Sequence, residues 1–418
     1  MALTLLLIFV LGAIFVFSTK VLKPPRSNPV RRLIRSPQAS IALLKKSSLE
    51  SRALPNARLV RAFSINNAFT TTDADSHRFF VTHAKDLVRS TDCEWNALAR
   101  GAASILEATL AANHAPLLLV PLVQSLVFRI VVIRFFPYAA APSDVDVATI
   151  TARINTLWLA CKQCHATDPA ALDREKKELL RKLHPLTPSP GRDAAPDPSS
   201  SCASEDRDPG PNPDQNPLNV ILPAYETLWR AVLLCFLEVR FRASEPDRLV
   251  YSGVFSAFLR DPTRATFDAR AGPSAHHGLT VKDIVCEALR LYPPTRRINR
   301  EVEGEQLAVD VEYLHRDPDT WGSDALGFRP GRWAVPTSTE RPGGAAYMPF
   351  GAGRFECPAK AVFGPMLIGV LVGTLLARVG SGFELVGEEV SEDILGSGPL
   401  QGARDSYAGV QLRIMGQS

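Results

Sequence analysis

The sequence is poor in features that announce a chemistry at once. Its 418 residues include seven cysteines, an odd and modest count that gives no disulfide framework and suggests mostly reduced thiols. A surplus of one charge is also missing. Forty-seven Lys and Arg stand against 43 Asp and Glu, a net +4, too little to argue for nucleic acid as a partner. There is no Walker phosphate loop, no G-x-S-x-G nucleophile elbow and no dinucleotide fingerprint, so any nicotinamide electrons must reach this chain from a separate protein. Internal repeats are absent. Apolar residues at 46% and charged residues at 22% lie near globular averages and exclude both wholesale disorder and a many-span membrane protein.

What is present begins at the N-terminus. The run ALTLLLIFVLGAIFVFS at 2–18 carries no charge and sits at the lower edge of what crosses a bilayer as a helix. Lys20, Lys23 and Arg26 follow the run instead of preceding it. That order favours a signal anchor over a cleaved signal peptide and puts the bulk of the chain on the cytoplasmic side. The expected organisation is an anchor at 1–19, a basic Pro-containing linker and domain entry at 20–59, and one domain at 60–418. A second apolar run, 115–137, is broken by Pro121, Arg129 and Arg134 and reads as a buried core helix. Apolar spacing predicts helices at 94–113, 143–183, 218–242 and 280–292, and short strands at 305–312 and near 408–414. Between 184 and 217, nine prolines among Ser, Asp and Gly mark a flexible insertion.

The most informative stretch is FGAGRFECPAKAVFG, 350–364. Gly351 and Gly353 allow a tight turn close to a ligand. Cys357 precedes Pro358, which suits a first helical turn, and a thiolate at a helix start has a lowered pKa and is a competent metal ligand. Upstream, Glu287 and Arg290 stand three apart on one helical face and run on into ALRLYPPTRR. Further on comes HRDPDTWGSDALGFRPGRW at 315–333, and before both lies PAYETL at 223–228.

In order and spacing these pieces resemble the cytochrome P-450 family, the haem-thiolate monooxygenases, whose ligand loop reads F-x-x-G-x-R-x-C-x-G. Phe350, Gly353 and Cys357 fall on that pattern, Ala359 replaces its last glycine, and Arg354 stands one place before the family's arginine, where this chain has Phe355. The resemblance implies a mainly α fold with minor β and haem as cofactor. Cys357 is then the axial iron ligand, and Glu287, Arg290 and Arg332 form a core-locking network. Arg297, Arg354 and Arg78 become candidate partners for the haem propionates, with His77 beside Arg78. PAYETL resembles the family's oxygen-binding groove and makes Thr227 and Glu226 the proton-relay pair, although Pro223, Ala224 and Leu228 depart from its pattern. The implied reaction inserts one atom of dioxygen into an apolar small molecule. Electrons come from NADPH through a partner reductase, at the endoplasmic reticulum membrane with the domain facing the cytosol.

Two rival readings remain. The chain is short for the family, which allows a truncated or decayed, non-catalytic haem- or ligand-binding protein. Cys161-Lys162-Gln163-Cys164-His165 spells the C-x-x-C-H pattern of covalent haem attachment, which allows an electron-transfer protein. A zinc site using His184 lacks a second ligand pair.

Overall fold

The computed structural model describes residues 31–112, 116–162, 168–187, 216–270, 278–334, 342–380, 382–388 and 390–415. The apolar run 2–18, nearly all of the Pro-rich segment, Cys164 and His165 lie outside the described residues.

Side-chain caps set most helix starts. Ser36 caps α1 (Pro37–Lys46), Ser48 caps α2 (Leu49–Phe63) and Asp73 caps α3 (Ala74–Leu87). Thr91 and Glu94 make a reciprocal capping box at the head of α4 (Asp92–Ala111), which satisfies two of the amide donors that a helix start leaves unpaired. Within the span expected as a basic linker and domain entry, 20–59, residues 32–59 form a short strand, β1 (Arg32–Ile34), then α1 and most of α2, because two serine N-caps start helices that composition alone overlooks.

The predicted core helix is α5 (Leu119–Phe135), buried on most sides despite Arg129 and Arg134. The span 143–183 holds two helices, α6 (Asp144–Ala160) and α7 (Pro169–Leu183), the second opened by the Asp168 cap and a proline in its first turn. The central helix α8 (Leu218–Leu237) runs into one π turn at Glu238–Arg242. After it come α9 (Glu245–Arg260), α10 (Arg264–Asp268) and α11 (Val281–Leu291), the last opened by a Thr280–Asp283 capping box.

Two small sheets complete the architecture. In the first, β1 lies parallel to β4 (Glu305–Asp310), which pairs antiparallel with β3 (Arg297–Val302). The β3–β4 hairpin turns on Glu303 and Gly304, both at positive φ, as a two-residue turn between twisted strands requires. Short helices α12 (Val311–Arg316) and α13 (Pro318–Trp321) follow. The apolar helix α14 (Phe363–Val379) packs along α4, α8 and α9. The second sheet has the order β2 (Leu117–Leu118), β6 (Gln411–Ile414), β5 (Phe383–Val386), all antiparallel. One large core joins α4, α5, α6, α8, α9, α11 and α14. The chain is therefore mainly helical with minor β, as expected.

Candidate functional site

The site is built around the loop 350–357. Gly351 and Gly353 have φ of +73° and +72°, a region open to glycine at little cost. A Cβ at Gly353 would come within 2.9 Å of the Leu44 carbonyl, so α1 docks on this loop only because residue 353 has no side chain. The Cys357 N–H donates to the Phe350 carbonyl at 3.0 Å and closes the loop. Cys357 does not cap the long helix as the sequence suggested. It caps one 3₁₀ turn, Pro358–Lys360, and α14 begins at Phe363. In place of a helix terminus the thiol has the Ala359 N–H and the nearby Arg52 guanidinium, both of which pull its pKa down. Desolvation outweighs them and holds it above the ordinary thiol value. Cys357 is free and reachable by solvent.

Behind the loop, the structure brings Glu287, Arg290 and Arg332 together. Glu287 and Arg290, both completely buried, form a bidentate pair with bonds of 2.9 and 2.8 Å. The three remaining Arg290 N–H groups donate to the carbonyls of His315, Ala325 and Gly327 at 2.7, 2.7 and 2.9 Å. All five donors are thus used. Glu287 also accepts from Arg332 Nε at 3.0 Å, the Arg329 N–H at 2.8 Å and Trp333 Nε1 at 2.9 Å. His315 extends the network. Its Nδ1 bonds to the Arg290 carbonyl at 3.0 Å and its Nε2 accepts the Met348 N–H at 2.9 Å, and burial lowers its pKa to about 3.

On the other side of the loop is a group of cations of which the sequence reading named Arg354 and His77 but missed Arg300 and Arg52. Arg300 is 4% exposed, bonds Ser47 Oγ at 2.9 Å and its neighbour's carbonyl at 2.8 Å, and makes no ion pair among the described residues. Arg52, 7% exposed, makes none either. Both guanidiniums face the ring of Phe355, at 4.6 Å for Arg52 and 5.6 Å for Arg300, and Arg354 lies 5.5 Å from it. His77 meets the same ring edge-on at 5.4 Å. Burial lowers the Arg52 pKa to about 9, helped by Arg300, and burial alone lowers that of Arg300 to about 10. The His77 pKa is lowered by burial, then by Arg52 and Arg354.

Two of the expected propionate partners, Arg297 and Arg78, have partners away from this group. Arg297 is three residues from Arg300 on one strand and therefore on its opposite face. Its half-exposed side chain lies 4.0 Å from Asp310, its cross-strand partner. Arg78 is largely exposed and pairs with Asp75 at 2.8 Å within its own helix. Arg354 is exposed at the loop's outer edge. Strand parity tells only that Arg297 and Arg300 take opposite faces of β3. Nothing local marked Arg52.

On α8, the Thr227 hydroxyl donates to the Pro223 and Ala224 carbonyls at 3.2 and 3.3 Å, the back-bonding habit of helical threonines. Glu226 is buried in an ion pair with Arg404. As it stands, this geometry ties both expected relay groups to other partners. Cys161 bonds only its own helix, donating to the Trp158 carbonyl at 3.1 Å. Among the described residues no group of three or more His, Cys, Asp or Glu is arranged to hold a metal ion.

Comparison with known proteins gives this arrangement its class. Residues 280–379, the segment from α11 through α14, match the cytochrome P450 family model. Cytochrome P450 714A2 of Arabidopsis thaliana is 33% identical over 111 residues, which is 24% of this chain and 21% of that one. The human 24-hydroxycholesterol 7-alpha-hydroxylase is 27% identical over 163 residues, 35% of this chain and 34% of that one. These sequence matches thus span about a fifth to a third of each relative's own length. In fold the likeness extends over nearly everything. A retinoic acid-bound cyanobacterial CYP120A1 superposes with a TM-score of 0.62 at 17% identity, covering 92% of this chain and 89% of that one. The resemblance drawn from the motifs therefore stands: segment 280–379 matches the cytochrome P450 family in sequence, and the chain is similar in fold to cytochrome P450 structures.

Proposed function

We propose that this chain is a haem-thiolate monooxygenase that inserts one oxygen atom of dioxygen into an apolar small molecule, with electrons from NADPH delivered by a partner reductase. The observation that carries this reading is the pairing of a free, reachable Cys357 with Arg52 and Arg300, two buried guanidiniums that have no carboxylate partner among the described residues. Buried cations without counter-charges are costly to keep. Haem, which carries an iron that binds thiolate and two carboxylates, would fit that donor set, with Cys357 holding the iron and Arg52 and Arg300 the carboxylates.

In this reading Cys357 ligates the iron as thiolate. The Ala359 N–H and Arg52 favour that ionised form against the desolvation that opposes it. Arg52 and Arg300 receive the carboxylates, in the role the sequence alone had given to Arg297, Arg78 and Arg354. When bound, the haem supplies dioxygen activation, with one atom going to substrate and the other leaving as water. The chain's own part is to hold the thiolate on a loop whose stem at Met348 is tied through His315 to the Arg290 backbone, and to present hydroxyl and carboxyl groups from α8. For Thr227 to pass on a proton its hydroxyl must leave the Pro223 and Ala224 carbonyls, and Glu226 must exchange Arg404 for solvent or substrate. The segment 2–18, with the basic residues behind it, anchors the chain in the endoplasmic reticulum membrane with the folded part on the cytosolic side.

An absorption spectrum of the reduced, carbon monoxide-bound protein tests the reading. A strongly red-shifted Soret band that is lost in Cys357→Ser supports it, and haem that stays attached after denaturation overturns it in favour of covalent ligation. One observation favours a second reading, a haem-binding member without turnover: both relay groups are engaged elsewhere. A normal thiolate spectrum, with no oxygen consumed when a reductase and NADPH are supplied, would decide for it.

A further inference from the structure

A second polar cluster lies inside the core, where α6, α8 and the irregular segment 395–409 meet. Tyr225 and Trp229 are four apart and so on one face of α8. Both are almost completely buried, and neither the Tyr225 hydroxyl nor the Trp229 Nε1–H has a hydrogen-bond partner among the described residues. The surroundings are otherwise closed. Phe128 of α5 packs edge-on against Tyr225 at 5.8 Å. Arg404 pairs with Glu226, donates to Asn155 Oδ1 at 3.0 Å, and lies 5.0 Å from the Trp158 ring and 5.8 Å from the Trp229 ring. The one buried cation and the one buried carboxylate therefore neutralise each other. Beside this pair, whose Glu226 Oε1 and Arg404 Nε also lack a hydrogen-bond partner among the described residues, stand two neutral donors without acceptors, and buried donors are seldom left so.

We propose that the Tyr225 hydroxyl and the Trp229 indole N–H, held beside the Glu226–Arg404 pair, recognise a neutral oxygen acceptor, a carbonyl or hydroxyl oxygen, on an otherwise apolar substrate. This rests on the monooxygenase reading and names the substrate class that reading left open. Tyr225 and Trp229 flank Glu226 and Thr227 on α8, so an oxygen bound to them places the rest of the molecule alongside the relay pair. A charged carboxylate is disfavoured because Arg404, the fully buried cation beside the two donors, already has its counter-charge in Glu226. Entry requires the segment 395–409, which carries Arg404 and has no regular structure beyond turns, to lift from α8.

The test compares two rigid probes of one shape, 2-adamantanone and adamantane, by calorimetric titration of the full chain. The ketone is expected to bind about tenfold more tightly than the hydrocarbon. That preference is expected to fall roughly fivefold in Tyr225→Phe, the share of one hydrogen bond. The thermal midpoint of Tyr225→Phe should hold or rise, since the variant deletes an unpartnered buried hydroxyl. Trp229→Phe repeats the measurement from the second donor. Equal binding of ketone and hydrocarbon, an unchanged ratio in both variants, or no binding of either probe overturns the proposal and leaves these donors to internal water. Because the readout does not use the thiolate spectrum, the two readings fail separately. A haem-loaded chain without ketone preference sinks only this inference, and ketone preference in a chain that takes no haem sinks only the monooxygenase reading.

Discussion

Arg290 and Arg52 are both buried, and both serve the loop that carries Cys357, yet they are satisfied in different ways. Arg290 spends all five N–H groups on a carboxylate and three carbonyls, above the Trp321 ring. Arg52 has aromatic rings and another guanidinium for company, and no carboxylate. A closed network is complete in the protein alone and therefore serves the fold. An open one leaves room for an anion from outside, the role proposed above for Arg52 and Arg300. The same distinction separates Glu287, saturated by five donors, from Tyr225 and Trp229, which have no acceptor.

The comparison can be broken by substitution. Glu287→Gln in the closed network leaves Arg290 buried without its counter-charge and should cost about 3–5 kcal/mol, read as a fall in the urea midpoint or as failure to accumulate folded protein. Next in size is pH. The His315 pKa is lowered to about 3 in the fold, whereas an unfolded histidine takes up its proton near pH 6.5. The unfolded chain therefore binds more protons below that value, so stability present at neutral pH is lost as pH falls from about 6.5 toward 3. Between pH 7 and 5 this amounts to about 2 kcal/mol. Urea titrations at the two pH values should show it, with a smaller drop in His315→Asn.

In the open cluster the signs should oppose each other. Arg52→Leu is expected to leave the haem-free chain as stable or about 1 kcal/mol more so, while haem transfers to a competing apoprotein about tenfold more readily. Parallel losses of stability and retention would erase the distinction. The smallest effect is expected from Arg297→Ala, whose half-exposed side chain stands 4.0 Å from a buried Asp310 that Arg35 also bonds at 3.2 Å, a loss of about 0.5 kcal/mol, with haem retention unchanged. A large loss of retention there would restore the role that the sequence suggested.

Much of the closed network was legible in the sequence because it is written locally: a Glu and an Arg three apart on a capped helix, followed by an arginine in a Gly-Pro-rich meander. The open cluster was not. Choosing Arg300 over Arg297 requires the register of β3 against β4, which fixes the face each residue takes and which one-dimensional spacing does not contain. Arg52 sits in a helix with no motif and meets Phe355 through tertiary packing alone. The start of α7 was readable from Asp168-Pro169, but apolar periodicity carried the expected helix straight across it. The oxygen side was legible only in part, for a different reason. The motif placed Thr227 and Glu226 correctly on α8, while the partners that engage them, two carbonyls of the same helix and Arg404, are properties of the folded chain.

The parallel pairing of β1 with β4 sets an order of events during synthesis. Arg32 and Glu305, joined across these strands at 2.6 Å, are separated by 273 residues. At translation rates of 5–20 residues per second, about 14–55 seconds pass between their emergence. Throughout that interval β1, α1 and α2 have neither the β3–β4 hairpin to join nor the Gly353 turn to rest against. The first described strand of this chain must wait for nearly the last third of it, which makes the newborn N-terminal segment a natural client for a chaperone and the sheet a slow step in maturation.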